Sequence, residues 1–150
     1  MPKASVKRLI ECKKDDLIKL VLDIEKYPEF VPFCFDAKVY ENKNEGDLTK
    51  IIADLTIGKG PFKDTYKSDV VFDKNKDTIF VKNIEGPLNH LSNNWTFTYK
   101  KNGITEITFD IDFEIKNVFY NMIMKKSFDK GLNEIASAFE KRAISLFKNS

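Results

Sequence analysis

The chain has 150 residues, of which 42% are hydrophobic and 32% charged, and its formal net charge is +2. These values predict one globular domain over residues 1–150 with a substantial core, and they do not indicate binding to DNA. No apolar run reaches the roughly 18–20 residues of a membrane span, and the N-terminus shows no signal or transit peptide. We therefore expect a cytoplasmic protein, most simply a bacterial one.

The first quarter of the chain predicts a strand, a helix and a proline-rich turn. Apolar and polar residues alternate over residues 5–12, as in a strand with one buried face. An apolar face over residues 17–24 predicts the helix. Pro28 and Pro32 end this helix and permit at most one further short helical turn.

From residue 37 onward the pattern changes to about six consecutive antiparallel strands separated by polar turns. The turns are predicted at residues 44–46, 58–61, 73–77, 86–87 and 101–103. The last strand is the clearest, because apolar residues from Ile107 to Ile115 alternate with charged residues such as Asp110 and Glu114. With the first strand, these segments predict an antiparallel sheet of six to seven strands.

One long helix is predicted from Asn117 to Phe147. Its apolar residues recur at three- and four-residue steps and form one stripe: Met124, Phe128, Leu132, Ile135, Phe139, Ala143 and Leu146. Thirty residues of helix span roughly 45 Å, so the stripe needs a wide partner. The order of elements therefore predicts an α+β domain in which a curved antiparallel sheet surrounds this helix, with a pocket between them.

Residues suited to catalysis or metal binding are scarce. His90 is the only histidine and has no carboxylate beside it in the sequence, which gives no Ser-His-Asp or Cys-His set. Cys12 and Cys34 form no metal-binding motif and are expected as reduced thiols. The acidic residues within 110–114 share one strand face, which we expect to be solvated. The sequence therefore predicts no catalytic residue and no metal site.

Aromatic residues are abundant, with thirteen Phe, five Tyr and one Trp. A ligand pocket would use such residues, although packing in the core is the alternative for each. The candidate ligand contacts are large apolar side chains: Phe30, Phe33, Phe62, Trp95, Phe97, Phe113, Phe128 and Leu132.

A second candidate surface lies near the start of the long helix, off its apolar stripe. Its residues are Phe119, Met122, Ile123, Lys125 and Lys126. An apolar edge flanked by lysines is typical of contact with a membrane surface or a partner. The alternative is that the helix bends here and buries the apolar members.

Three segments resemble a known family in the same order. Residues 23–34, which contain Tyr-Pro-Glu-Phe-Val-Pro-Phe-Cys, resemble the segment after the first helix in the coenzyme Q-binding START-like family. Residues 85–97 are similar to its Gly-Pro-Phe…Leu…Trp-x-Phe segment, and residues 138–143 to its closing helix motif. Leu88 stands where Phe is common and Phe33 where Trp is frequent. The family includes ribosome association toxins and is grouped with the polyketide cyclase/dehydrase superfamily.

The resemblance implies a helix-grip fold with a cavity for ubiquinone or a similar isoprenoid lipid, which the protein would bind and deliver without chemistry of its own. No other cofactor is implied. Asn93, Asn94 and Tyr99 would be candidate donors to the quinone ring, and peripheral contact with the inner face of the cell membrane is compatible with delivery. Two further functions remain open: a ribosome-binding regulator of the toxin type, and a cyclase or dehydratase.

Overall fold

A computed structural model describes residues 3–59, 62–86 and 88–147, with all their side chains except those of residues 59, 62, 120 and 123–128. Within these ranges the chain forms seven strands, two α-helices and one 3-10 helix. The strands are β1 (Lys3–Ile10), β2 (Cys34–Glu45), β3 (Leu48–Lys59), β4 (Phe62–Asp73), β5 (Thr78–Glu85), β6 (Leu88–Lys101) and β7 (Ile104–Ile115). The helices are α1 (Lys14–Leu22), the 3-10 helix Ile24–Glu29 and α2 (Val118–Phe147).

The strands form one curved antiparallel sheet in the order β1-β7-β6-β5-β4-β3-β2. Strands β2 to β7 each pair with the next along the chain, because short turns favour antiparallel neighbours. The β6–β7 turn needs a left-handed backbone at Asn102, with φ 52°, and at Gly103, with φ 77°. β1 joins the edge at β7, so the segment containing both short helices connects the two edges of the sheet.

The structure confirms the predicted α+β class, the seven-stranded sheet and the long C-terminal helix. Some boundaries differ. β1 ends at Ile10 rather than at residue 12, and Ile24 begins the 3-10 helix rather than ending α1. Leu146 is 47% exposed and does not belong to the buried stripe, because Ala143 and Phe147 take the inward positions of the last turn.

Most of the core lies between the inner face of the sheet and the two helices that cover it, α1 and α2. The indole ring of Trp95 is its centre, with ring centroids 4.4 Å from Phe109 and 5.0 Å from Phe139 of α2. We call this group, which includes α1 and the second half of α2, the main core cluster. A separate second cluster contains Tyr66, Leu88, Leu91 and Phe113.

Candidate functional site

The interior is closed where α2 packs on Trp95. The cavity at this place is bounded by Trp95, Phe109 and Phe139, among others, and its volume is about 10 Å³. That volume is about the size of one water molecule. A ligand of any length must therefore lie elsewhere.

The apolar side chains between the two clusters are less completely buried than the members of either cluster. Ala4, Leu55, Val81 and Ile111 pack against both clusters and join them. Leu55, Val81 and Ile111 are only half-buried, although they project from the inner face of the sheet. An apolar side chain on the covered face of an inner strand stays accessible only when the volume in front of it is not filled by packing. This region is therefore the candidate binding site.

The sheet opens beside the second cluster, where β5 and β6 separate. Their pairing runs only from Thr78 to Lys82 on β5. Beyond that point the side chain of Asn83 spans the gap: its Oδ1 accepts a hydrogen bond from Leu91 N at 2.8 Å, and its Nδ2 donates to Leu88 O at 3.3 Å. The start of α2 lies near the same end, since Ile115 N donates to Asn121 Oδ1 at 3.2 Å. An entrance for a ligand fits this end of the sheet.

Phe33 joins three elements near the middle of α2. Its φ of 71° is unusual for an aromatic residue. Its carbonyl oxygen accepts a hydrogen bond from Gly58 N at 3.0 Å, which ties the loop to the end of β3. Its ring faces Gly131 of α2.

Polar side chains on the inner face mostly bind the backbone or each other. Ser68 Oγ donates to Ala53 O at 3.2 Å. Asn93 Nδ2 donates to Asp110 O at 2.9 Å, and Asn93 Oδ1 accepts from Trp95 Nε1 at 3.1 Å. These groups stabilise the sheet and its core, so they are not free to bind a ligand.

Burial keeps three weak acids near the site protonated. It raises the pKa of Tyr27 and of Tyr66 above the ordinary value of 10.0. The Tyr27 hydroxyl donates a hydrogen bond to Val21 O. Burial also raises the pKa of the Cys34 thiol to about 11, which leaves little reactive thiolate at neutral pH. Both Cys12 and Cys34 are reduced thiols rather than members of a disulfide, as the sequence predicted.

Comparison with known proteins identifies the family. A family model for polyketide cyclase/dehydrase and lipid transport proteins matches residues 10–140. The chain belongs to this family. A START superfamily protein from Mycobacterium smegmatis has the same fold: its TM-score is 0.81 at 19% identity, covering 96% of this chain and 98% of that one.

Two curated relatives of this polyketide cyclase-like chain carry different functional names. The mitochondrial coenzyme Q-binding protein COQ10 of Dictyostelium discoideum is 30% identical over 140 residues, which are 91% of this chain but 66% of that protein, slightly less than two thirds. The ribosome association toxin RatA of Rickettsia prowazekii is 28% identical over 144 residues, covering 94% of this chain and 95% of that protein. The predicted resemblance to a family containing both kinds of protein is therefore confirmed.

The residues predicted from the sequence to contact a ligand do not lie together in the structure. Trp95, Phe97 and Leu132 are buried in the main core cluster, and Phe113 is buried in the second cluster. Phe30 and Phe33 are half-buried in the loop after the 3-10 helix. The predictions for Phe62 of β4 and Phe128 of α2 concern side chains outside the described set.

The predicted donors to a quinone ring have other surroundings. Asn93 is already paired, as described above. Asn94 lies on the outer face of the sheet, where its Nδ2 is 3.5 Å from Thr96 Oγ1. Tyr99 is 55% exposed near the end of β6.

The apolar edge predicted at the start of α2 is exposed where the structure describes it. Phe119 is 63% exposed and Met122 is 58% exposed. α2 is one continuous helix from Val118 to Phe147, and the predicted alternative, burial of the apolar members at a bend, does not hold for Phe119 and Met122. The side chains of Ile123, Lys125 and Lys126 lie outside the described set. No helix of the described chain is long and apolar enough to span a bilayer.

An open groove on the outer side of α2 was not predicted. It has a volume of about 760 Å³ and lies between α2 and the loop that carries Phe30 and Pro32. Its charged and polar lining comes from Lys130, Asn133, Glu134, Ser137, Lys141 and Arg142. The Arg142 guanidinium lies 5.1 Å from the centre of the Phe30 ring, and its Nη2 atom is 2.9 Å from Glu29 Oε1. This hydrogen bond from Arg142 is the main cause of a lowered pKa at Glu29.

His90 has a carboxylate partner that the sequence did not reveal. Its Nε2 atom is 3.2 Å from Asp112 Oδ1 on the neighbouring strand β7. Both residues lie on the outer face of the sheet, and Lys3 Nζ is 3.8 Å from the same carboxylate. In the described ranges no group of three or more His, Cys, Asp or Glu side chains could hold a metal ion. Because it lies on the outer face, the His90–Asp112 pair is remote from the candidate binding site on the inner face.

Proposed function

We propose that this protein binds coenzyme Q, or a similar isoprenoid lipid, and delivers it unchanged in support of respiratory electron transport. The observation that carries the proposal is that Leu55, Val81 and Ile111, on the inner face between the two clusters, are only half-buried, which leaves space in front of them. An apolar tail would gain about 0.8 kcal/mol for each methylene group buried there. The relative named for coenzyme Q binding supports a quinone as the ligand.

A carrier needs no acid or base beside its ligand, and the arrangement of polar groups supports this role. Ser68 and Asn93 are engaged in holding the sheet and its core. The His90–Asp112 pair lies on the outer face. A cyclase or dehydrase, which the family also includes, would need groups that exchange protons with the substrate to face it.

Extraction of the purified protein with organic solvent, followed by mass spectrometry, tests the proposal. The host should produce ubiquinone, and two variants on adjacent residues of β5 sharpen the result. Val81→Phe fills space on the inner face, whereas Phe80→Trp enlarges a side chain that is 41% exposed on the outer face. We expect near-stoichiometric quinone in the wild type and in Phe80→Trp, and little in Val81→Phe at an unchanged melting temperature.

Two outcomes would contradict the carrier proposal. One is an empty wild-type protein that stays empty after incubation with vesicles containing quinone. The other is equal quinone content in the wild type and in Val81→Phe, which would place the ligand away from the inner face.

The second candidate function is association with ribosomes. It is favoured by the outer groove, where Lys130, Lys141 and Arg142 line one side of α2, and by the nearly full-length similarity to a protein named ribosome association toxin. Basic side chains of this kind bind the phosphates of RNA. Sedimentation with ribosomes tests it: the double variant Lys130→Glu, Lys141→Glu should lose co-sedimentation, and a wild type that never sediments with ribosomes would exclude this candidate.

A further inference from the structure

The side chain of Tyr66 is largely buried, and among the described residues its hydroxyl has no hydrogen-bond partner. Tyr66 lies on the inner face of β4, is only 9% exposed and packs within the second cluster. In the described chain no hydrogen bond involves its hydroxyl. The oxygen is not fully enclosed by protein, so a bound molecule can reach it, and native proteins rarely leave a phenol in such surroundings unpaired. The hydroxyl is therefore available to a ligand.

The surrounding polar groups differ from Tyr66 in this respect. The Tyr27 hydroxyl donates to a backbone carbonyl, and Ser68 does the same two residues further along β4. The amides of Asn83 and Asn93 are engaged at both their nitrogen and their oxygen atoms. A ligand could use these groups only by breaking existing bonds, whereas Tyr66 requires no such exchange.

The backbone and Cβ of Tyr66 lie against the β5–β6 turn. Gly86 of this turn approaches so closely that a Cβ built on it would lie 2.7 Å from Tyr66 Cβ. The turn is next to the place where β5 and β6 separate. Tyr66 is thus fixed beside the end of the sheet through which a ligand could enter.

The protonation state of Tyr66 makes it a donor. Burial raises the pKa of its phenol above the ordinary value, so the proton stays on the oxygen at neutral and moderately alkaline pH. A phenol held in an apolar environment is best satisfied by an acceptor oxygen. A carbonyl group supplies one without bringing a charge into the second cluster.

We propose that the Tyr66 hydroxyl donates a hydrogen bond to a carbonyl oxygen in the head of the ligand, while the tail occupies the space in front of Val81 and Ile111. This inference rests on the proposed function and adds the residue that orients the ligand. A quinone ring and an acyl ester both provide the required carbonyl. The two sources are separated by the choice of ligand in the experiment.

The experiment compares Tyr66→Phe, which removes one oxygen, with Tyr99→Phe at a tyrosine that is 55% exposed. The full chain, freed of lipid, is titrated with decyl-ubiquinone, with a short-chain diacylglycerol and with decylbenzene, which has a tail but no carbonyl. We expect Tyr66→Phe to bind its carbonyl ligand about 10-fold more weakly. Decylbenzene binding and all binding by Tyr99→Phe should stay at the wild-type level.

Infrared difference spectra of the bound ligand provide a second readout that a purely structural role would not change. A hydrogen bond from Tyr66 lowers the stretching frequency of the carbonyl group, and Tyr66→Phe should return it to the frequency of the free ligand. Loss of affinity and of the shift for decyl-ubiquinone assigns the quinone, and the same losses for diacylglycerol assign the ester.

The other outcomes overturn the inference. Wild-type affinity of Tyr66→Phe for both carbonyl ligands, with the infrared shift retained, shows that Tyr66 is not the donor and leaves the proposed function intact. An equal loss of affinity for decylbenzene shows that Tyr66 acts only through packing. Failure of the wild type to bind the quinone and the lipid would overturn both this inference and the proposed function.

Discussion

The ring of Phe33 faces the one glycine within α2: a Cβ built on Gly131 would lie 3.6 Å from Phe33 Cε2. Phe33 adopts a φ of 71°, and a bulky residue in this region of conformational space costs about 1–3 kcal/mol. The cost is offset by contacts on two sides, since the Phe33 carbonyl also accepts a hydrogen bond from Gly58 N. The loop, the end of β3 and the middle of α2 are therefore coupled through one residue.

The first prediction concerns Gly131→Ala. A distance of 3.6 Å is ordinary van der Waals contact, so the added methyl group fits against the Phe33 ring. Alanine favours the helix over glycine by up to about 1 kcal/mol. We expect the free energy of unfolding to rise by about 0.5–1 kcal/mol in chemical denaturation. A loss of stability would show that the ring of Phe33 cannot accommodate even this contact.

Gly86→Ala should have the opposite effect. Gly86 has a φ of 135°, and a Cβ there would lie 2.9 Å from the backbone Cα of Tyr66, which cannot move away easily. We expect a loss of about 3 kcal/mol or more in the free energy of unfolding. Gly103→Ala is the matched control, because its φ is also positive, at 77°, but nothing lies within 4 Å of the added atom. Equal losses in the two variants would mean that backbone conformation alone, and not the contact with Tyr66, sets the cost.

The order of elements could be predicted because each strand alternates and each helix repeats at three to four residues. The fold therefore follows from local patterns, with errors where two elements meet, as at Ile24, and in the last turn of α2, at Leu146. The partners of individual side chains could not be predicted in this way. His90 and Asp112 are far apart in sequence, and only the register of β6 against β7 brings them together.

The candidate site shows the same limit. Large aromatic residues were selected from the sequence, yet Trp95 and Phe97 fill a closed core. The half-buried residues that mark open space, such as Val81, are not unusual in sequence. Tyr66 did carry a signal: it is a polar-tipped residue among the inward positions of β4, and such a tip needs a partner. Whether the fold supplies that partner becomes clear only when every neighbour is in place.

The main core cluster should respond strongly to a large-to-small change on α2. Phe139 is 4% exposed, and its ring contacts those of Tyr27, Phe30 and Trp95. Phe139→Ala should lower the free energy of unfolding by about 3–5 kcal/mol. Leu146→Ala on the same helix should change it by less than about 1 kcal/mol, because Leu146 is 47% exposed. Comparable losses would indicate that the last turn of α2 is packed more tightly than the structure shows.

Stability should fall at alkaline pH because of the buried tyrosines. Burial raises the pKa of Tyr66 above its ordinary value of 10.0, so the folded chain keeps this proton while the unfolded chain releases it. The contribution of this proton to the free energy of unfolding is fully present below pH 10. Above pH 10 it falls by about 1.4 kcal/mol per pH unit for each buried tyrosine of this kind. Denaturation at pH 8 and pH 11 should show a smaller loss for Tyr66→Phe than for the wild type. Tyr99→Phe is the control and should lose as much stability between pH 8 and pH 11 as the wild type. An equal loss in Tyr66→Phe would mean that the Tyr66 phenol ionises freely in the folded chain.

The exposed apolar edge of α2 should contribute to membrane contact if the protein exchanges its ligand with a bilayer. The double variant Phe119→Ser, Met122→Ser removes two side chains that are 63% and 58% exposed, so the melting temperature should hardly change. Binding to vesicles with anionic lipids should weaken about 10-fold, because the apolar groups no longer enter the interface. Leu9→Ser is the control, since Leu9 is 61% exposed on β1, a strand at the edge of the sheet. Equal vesicle binding by the wild type and the double variant would exclude this apolar edge as a membrane contact. The double variant Lys125→Glu, Lys126→Glu would then show whether charge alone brings the protein to the membrane.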